Sequence, residues 1–587
     1  MDAEVSILRL TVERFRGLRN LEWCPSAGMN LILGGGDLGK TTVLEAIDLL
    51  FQPSNSAVLA EADYWQRDHE TEFVITAVVR LGAEVFGAQG NMIWPWRWDG
   101  TNAVQPLSED DEASATEPEG VPAYQVRVRG TPELEVAWEI LQPDGAISPL
   151  TVATRRRIRI VRLSDGGRHD RDLRLVFGSA LDRLLSDQGL RARIGQQVAG
   201  FNLTEKLTDS GREALEHLDS RLEQHSLPKG LKLGFTGGPG VSIGSLIGLT
   251  ANNPQGTPLP YSSWGEGTRR MAALQTAALM VGTVNITTVD EVERGLEPYR
   301  LRGLLKSLQQ QSKQSFLTTH SAVAISAADE AALWYMDLNQ NLKELPKKKV
   351  ASLQRREPET FLSRLVVLVE GATEAGFVTH LLRVALKGDL EDHGVFVAEA
   401  QGNETALDLL EAFTEAGMVF CGFVDNEGKH PERWSRLHTS MGSRLFQWKI
   451  GNTEQNIVPL FTDDLLPALI NHPDPRICAE RLVTLRDRLR IPSLKLQDIE
   501  SASAGNLNTL LVAASTGATT GAASDEESAW KAHSRRWFKS RQGGDELGYK
   551  VLSLGIWPQL EVGLIPFINA VRTAVRSSEH PGLEHEA

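Results

Sequence analysis

The sequence predicts an α/β multidomain chain, and three observations carry that prediction. A glycine-rich loop, Gly34–Thr41, stands between an apolar segment and a helical pattern. A second alternation of apolar segments and helical patterns begins at Leu365. The 587 residues exceed what a single hydrophobic core holds, so two to four domains are expected.

Taken in order, residues 5 to 33 carry the β-rich segments SILRLTVERF and MNLILG, and TTVLEAIDLLF after the glycines has helical spacing. From about 72 to 162 the short runs FVITAVVRL, YQVRVRG, LEVAWEI and RIRIVRL predict an antiparallel sheet, interrupted by an acidic loop at 108 to 120. Residues 165 to 235 read as a helical insertion. NITTVDE and SFLTTH read as buried strands, and KELPKKKVASLQRREPET as a linker. Strands and helices then alternate from LVVLVEG to at least QWKIGN. Later, SASAGNLNTLLVAASTGATTGAASDEES begins as a helix and ends loose.

A net charge of −15 excludes a uniformly basic surface, so nucleic-acid contact must come from local patches. Candidates are Arg155, Arg156, Arg157, Arg159 and Arg162; Lys347–Lys349 with Arg355 and Arg356; and Arg535, Arg536, Lys539 and Arg541. A solvated face is the plainer reading of each. Three dispersed cysteines give neither a disulfide framework nor a zinc site. With no apolar stretch of bilayer length and no signal peptide, a cytoplasmic chain without a membrane partner is expected.

Gly34-Gly35-Gly36-Asp37-Leu38-Gly39-Lys40-Thr41 fits GxxxxGK[ST], with Thr42 continuing the helix. Gly34, Gly36, Asp37 and Gly39 shape a loop whose N–H groups can surround phosphates. Lys40 can reach the β- and γ-phosphates, and Thr41 can ligate Mg²⁺. Downstream, ITTVDE is a strand ending in acids: Asp290 is suited to hold that Mg²⁺, and Glu291 to orient or deprotonate the attacking water.

In the C-terminal half, LVVLVEGATE ends a strand at Glu370 and places Glu374 one helical turn on. VFCGFVDNE ends another strand at Asp425 and Glu427. Parallel strands collect their ends on one edge, so these four carboxylates can converge. Gathered acids are tolerated around divalent cations, and two Mg²⁺ or Mn²⁺ ions there suit phosphodiester cleavage.

These motifs carry a resemblance. Tyr261-Ser262-Ser263-Trp264-Gly265-Glu266-Gly267-Thr268, opening the helical run RRMAALQTAALM, resembles the ABC signature, which implies that Ser263, Gly265 and Gly267 grip ATP held by a second copy. His320, after SFLTT, stands where ABC ATPases keep a γ-phosphate-sensing histidine, and DEVERGLEP resembles the corresponding stretch of the SMC/RecF/OLD branch. Gly36 and Glu297 depart from that branch's usual Asn and His, and the sequence alone does not place its coupling glutamine. The acids after 365 resemble a Toprim domain, with Asp-Asn-Glu for DxD. An ABC ATPase followed by Toprim is similar to the OLD (overcoming lysogenisation defect) nuclease family, and the order and length resemble those of the Gabija nuclease subunit.

The resemblance implies an ABC ATPase at 1–164 and 236–345, a dimerisation insertion at 165–235, a linker at 346–362 and a Toprim domain with helical additions at 363–587. It implies a further acid, Glu454, and a late lysine, Lys539, with Lys550 as rival. It also implies ATP and Mg²⁺ (or Mn²⁺) as cofactors, DNA as partner, homodimers or larger assemblies through the ATPase domains, and a role in anti-phage defence, with a superfamily 1 helicase as a possible partner. A topoisomerase needs a tyrosine-bearing gate for which the chain has no room, and a bacterial-type primase needs a zinc module. The competing expectation is a non-cleaving SMC/RecF-like ATPase scaffold for DNA repair or sensing.

Overall fold

The computed structural model describes residues 5–55, 57–106, 120–158, 160–163, 172–176, 179–185, 203–235, 247–278 and 284–579. It divides into two compact units, Met1–Glu344 and Leu345–Ala587.

The first unit holds a six-stranded sheet in the order Ile160–Leu163, Val284–Val289, Ser312–Thr318, Met29–Gly34, Ala332–Met336 and Leu342–Leu345. The first five strands run parallel. Leu31, Ile32 and Leu33 are fully buried, as expected of a parallel strand covered on both faces. The helix Lys40–Leu50 seats Val43, Leu44, Ile47 and Leu50 in the core, the spacing of one helical face. A second, antiparallel sheet runs Leu18–Trp23, Ser6–Phe15, Phe73–Arg80 and Val121–Gly130, with Val136–Leu141 pairing the last. Gln314 ties the two sheets together: its Oε1 accepts from Ile7 N at 2.8 Å, and its Nε2 donates to the carbonyls of Ile7 at 3.0 Å and Ser26 at 2.9 Å.

Two sequence expectations need correction. RIRIVRL is not a strand of the antiparallel sheet. Arg155–Arg157 lie on the helix Val152–Ile158, and Ile160–Leu163 is the edge strand of the parallel sheet. Arg155 is 1% exposed, stacks 3.9 Å over Trp138 and donates to Gln52 O at 2.7 Å, so it serves packing rather than a basic surface. The 346–362 linker is likewise ordered: Lys347–Arg356 is a helix and Pro358–Phe361 a 3-10 turn. Val350, Leu353 and Gln354 are buried at helical spacing, and Lys349 pairs with Glu411 at 3.1 Å.

The insertion expected at 165–235 falls partly outside the described residues, as do residues 108–119 of the acidic stretch. Within 165–235 the described elements are the helices Ala180–Leu185 and Asp209–Gln224, the turn Leu203–Lys206 and the strand Lys232–Phe235.

The second unit is built on a four-stranded parallel sheet, ordered Val395–Glu399, Leu365–Val369, Phe420–Val424, Leu445–Gln447. Every residue of its two central strands is buried. The helices Ala372–Leu386 and Arg541–Ser553 meet backbone to backbone. A Cβ on Gly376 would lie 1.9 Å from Arg541 O, and one on Gly544 would lie 2.0 Å from Thr373 O. Among the described residues no single helix is long and apolar enough to cross a membrane.

Candidate functional site

The phosphate loop needs backbone that glycine tolerates. Gly34 and Gly39 have φ of 138° and 105°, and Asp37 has φ of 58°. Gly36 and Asp37 are exposed, and Cβ space at Gly36 is open. Lys40 is buried at the helix start and donates to the carbonyls of Gly34 at 3.0 Å and Gly35 at 2.5 Å. Burial lowers its pKa, against the opposing pull of Asp290 and Asp37. The Thr41 hydroxyl donates to Asp290 Oδ1 at 3.1 Å, so the two proposed magnesium ligands already touch; Thr42 is half-buried behind them. Thr318 also donates to Asp290 Oδ1, at 2.5 Å, and accepts from Glu291 N at 2.9 Å. A cavity of about 300 Å³ opens between Thr41, Asp290, Thr288, Asp48 and Arg162.

Ser263 and Gly265 are exposed at the approach to the helix Glu266–Ala278, whereas Gly267 is buried. A Cβ on Gly267 would lie 1.9 Å from Gly295 O, so only glycine lets this helix start sit against the segment after Asp290. The strut between them is Arg270, 2% exposed, which donates to the carbonyls of Glu291 at 2.7 Å and Arg294 at 3.3 Å, and to that of Asp290. Sequence reasoning missed it; the available signal was a cation on the apolar face of its helix. His320 is exposed, its backbone N–H donating to Glu293 Oε1 at 2.7 Å.

In the second unit the strand ends bring the acids to one sheet edge. Glu370 follows the strand Leu365–Val369, and Asp425 follows its parallel neighbour Phe420–Val424. Glu374 sits on the first turn of the next helix, and Glu454 on the helix Thr453–Ile457. Asn403 Nδ2 donates to Glu370 Oε2 at 2.8 Å and lies 3.3 Å from Asp425 O, spanning the two strand ends. Asp425 Oδ1 accepts from Thr453 N at 3.1 Å and from the Thr453 hydroxyl at 3.2 Å. Glu454 is fully buried: its Oε1 accepts from Thr373 at 3.0 Å, and its Oε2 has no hydrogen-bond partner. Glu427 is more exposed, bound by Lys429 at 2.8 Å.

Electrostatics couple this group. Burial, then the charges of Glu374, Glu370 and Glu454, push the Asp425 carboxyl up to about 9, with Lys539 opposing. Burial also raises Glu370, against the Asn403 hydrogen bond, with Glu374 and Glu427 adding to the rise. Burial raises Glu454, with Lys539 opposing. Among the described residues no three such side chains stand assembled around a common point. Asp425, Glu370 and Glu454 each turn to a donor of their own. The set still fits hard divalent cations: all its donors are carboxylate oxygens, and the orphaned Glu454 Oε2 is a buried acceptor that a cation would satisfy.

Of the two lysines, Lys539 Nζ stands 3.8 Å from Glu454 Oε1. Lys550 instead donates to the carbonyls of Leu469 and Asn471 at 2.6 and 2.7 Å and pairs with Glu546 at 2.6 Å. The Lys539 turn is fixed by residues that sequence reasoning missed. Thr373 also reaches Phe538 O at 2.9 Å, Arg481 donates to Arg536 O at 3.0 Å, and Trp537 Nε1 donates to Thr484 at 2.9 Å.

Residues 29–326, just over half of the chain, match the family model described as "AAA domain, putative AbiEii toxin, Type IV TA system". Residues 361–426 match the overcoming lysogenization defect protein-like TOPRIM domain model; Glu370, Glu374 and Asp425 fall within that match. No curated protein matches the chain. Among solved structures, the Smc head bound to the C-terminal winged-helix domain of ScpA is 14% identical. It aligns over 59% of this chain and 99% of its own, with a TM-score of 0.37. A Smc head with an extended coiled coil, bound to the C-terminal domain of ScpA derived from Pyrococcus furiosus, is 13% identical over 60% and 98%, with a TM-score of 0.36. The nucleotide-bound recombination mediator protein RecF is 15% identical over 59% and 99%, with a TM-score of 0.34. The chain therefore belongs to the AAA domain family that its first unit matches, and it carries an OLD-like Toprim domain behind that ATPase domain.

Proposed function

We propose that the chain is an ATP-hydrolysing, divalent-metal-dependent DNA endonuclease acting in anti-phage defence, in which two copies close on nucleotide through their ATPase units and thereby set access of DNA to the Toprim acids. The observation that carries the reading is the buried group of Glu370, Asp425 and Glu454 at one sheet edge, with one Glu454 oxygen left without a partner. Burying several carboxylates is costly unless cations or donors compensate, so a group without use for cations gains nothing from this arrangement.

In the ATPase, Lys40 and the loop amides hold the phosphates, Thr41 and Asp290 hold Mg²⁺, and Glu291 positions water. Ser263, Gly265 and Gly267 of one copy face the ATP of the other, and His320 senses the γ-phosphate. In the Toprim unit Glu370, Glu374, Asp425, Glu427 and Glu454 would hold Mg²⁺ or Mn²⁺, which when bound supplies an activated water and charge neutralisation at the scissile phosphate. Lys539 offers its ammonium to the same phosphate, and Asn403 and Thr453 keep Glu370 and Asp425 turned to their places.

Plasmid incubated with Mg²⁺ or Mn²⁺ tests the reading. The native chain is expected to cut, Glu370→Ala to hydrolyse ATP without cutting, and Lys40→Ala to lose ATP hydrolysis. Well-folded native protein that hydrolyses ATP but cuts under no nucleotide or metal condition would establish the non-cleaving scaffold instead.

A further inference from the structure

We propose that Ile450 is a DNA-contacting wedge of the acidic site, an apolar tip that packs on the sugar or base face of DNA while neighbouring ammonium groups take its phosphates. The inference rests on the DNA-nuclease reading and adds a contact that the acids do not supply.

Isolated exposed aliphatics are common on protein surfaces, so the exposure of Ile450, 81%, is not the argument by itself. Its mounting is. Asn426, between Asp425 and Glu427, exchanges two backbone hydrogen bonds with Gly451, both 2.9 Å. The Asn426 side chain donates to Lys449 O at 2.8 Å, and Asn456 Nδ2 donates to Ile450 O at 2.7 Å. Gly451 has φ of 72°, and a Cβ there would lie 2.2 Å from Gln455 Oε1. Gln455 in turn closes a capping box with Asn452, each bond 3.0 Å, at the start of the helix that carries Glu454. The carbonyls of residues 449 to 451 are thus tied to the two segments bearing Asp425 and Glu454.

A loop so fixed has lost its backbone entropy before any ligand arrives, so a contact through its tip is not weakened by ordering. The side chain it displays is stiff at χ1 and apolar. Lys449 and Lys429 are both exposed on this rim, the latter held by Glu427. An aliphatic tip between ammonium groups suits a polyanion with apolar faces between its phosphates. Nucleic-acid-binding proteins use Ile, Leu or Met as wedges between base steps in this way. The tip's chain neighbours Lys449 and Gly451 bond Asn426, which lies between Asp425 and Glu427, so the contact falls beside the acids.

The test uses the full chain in Ca²⁺ or EDTA, with binding of a short labelled DNA duplex read by fluorescence anisotropy, and then cleavage kinetics in Mg²⁺ or Mn²⁺. Ile450→Ala is expected to weaken binding about tenfold, the loss that ~1.4 kcal/mol of contact energy gives. KM should rise with kcat unchanged, Ile450→Leu should restore both, and Ile450→Asp should bind more weakly than Ala. A 2-aminopurine reporter in the duplex should brighten with the native chain and not with Ile450→Ala. Native-like binding and KM in Ile450→Ala overturns the inference, as does a changed oligomer mass in that variant with DNA binding intact, which would make the tip a contact between copies. A native chain that binds DNA but never cuts defeats the nuclease reading alone, because the anisotropy comparison still decides the role of Ile450.

Discussion

Asn403 Nδ2 lies 2.8 Å from Glu370 Oε2 and 3.3 Å from Asp425 O, so one buried amide joins the two strand ends that carry the acids. Removing it frees Glu370 to rotate and deletes the one hydrogen bond opposing its raised pKa that comes from a side chain. Asn403→Ala is expected to cost on the order of 10–100-fold in metal affinity or cleavage, the range typical of residues that orient metal-binding side chains. Asn403→Asp should cost more, since it replaces the donor with a like charge. ATP turnover should not change in either. Isothermal titration with Mn²⁺ checks it, and native affinity in Asn403→Ala would remove Asn403 from the centre.

Gly267 offers a test of the ATPase unit. A methyl group there would overlap Gly295 O at 1.9 Å, and the obstacle is backbone rather than a flexible side-chain tip. Gly267→Ala should destabilise by about 1–3 kcal/mol, as overpacking does, and displace the turn holding Glu291, lowering ATP turnover. Thermal unfolding and steady-state ATPase assays read the two effects. An Ala variant with native stability would mean that the helix start is looser than its contacts indicate.

The acids also predict a pH dependence for the metal-free chain. Asp425 carries its proton in the folded state up to about 9, but in the unfolded chain only near its ordinary 3.8. Between those values the folded state binds more protons. Stability contributed by this group is therefore complete below about 4 and lost as pH rises through about 9, by at most about 1.4 kcal/mol per pH unit. Chemical unfolding of the chelated protein should show that decline, Asp425→Asn should flatten it, and saturating Mg²⁺ should reverse it. A metal-free stability that rises between pH 5 and 9 would contradict the buried, protonated Asp425.

What was legible in the sequence was chemistry borne on regular elements. The loop Gly34–Thr41 and the acids Asp290, Glu370 and Asp425 each follow an apolar strand, so period and position sufficed. The supporting residues act across distance in the chain. Thr373 reaches Phe538 165 residues on, and Arg270 holds a turn 21 residues on, and no local pattern encodes such pairings. The two misread segments have related causes. Lys347–Arg356 buries only Val350, Leu353 and Gln354 beneath a basic face and so looks like a polar connector. In the 155–162 run, stacking on Trp138 and pairing with Asp48 conceal two arginines that composition alone places on the surface.

The last prediction concerns the turn that presents Lys539. Arg481 is 1% exposed and forks onto both oxygens of Glu546, at 2.8 and 2.6 Å, while its Nε holds Arg536 O at 3.0 Å. Trp537 and Phe538 rest 5.2 and 5.5 Å from its guanidinium carbon. Arg481→Met preserves much of the volume but leaves Glu546 with Lys550, 2.6 Å away, and the imidazole of His472, 3.8 Å away. Breaking a buried pair this way costs about 3–5 kcal/mol, and the low end applies because Lys550 remains. Arg481→Lys should rescue little, since a single ammonium cannot serve both carboxylate oxygens and the Arg536 carbonyl at once. With the turn loosened, Lys539 loses its place beside Glu454, so cleavage should fall further than global stability explains, while ATP turnover stays native. Comparing kcat for cleavage with unfolding midpoints separates the two effects, and cleavage that tracks stability alone would reduce Arg481 to a packing residue.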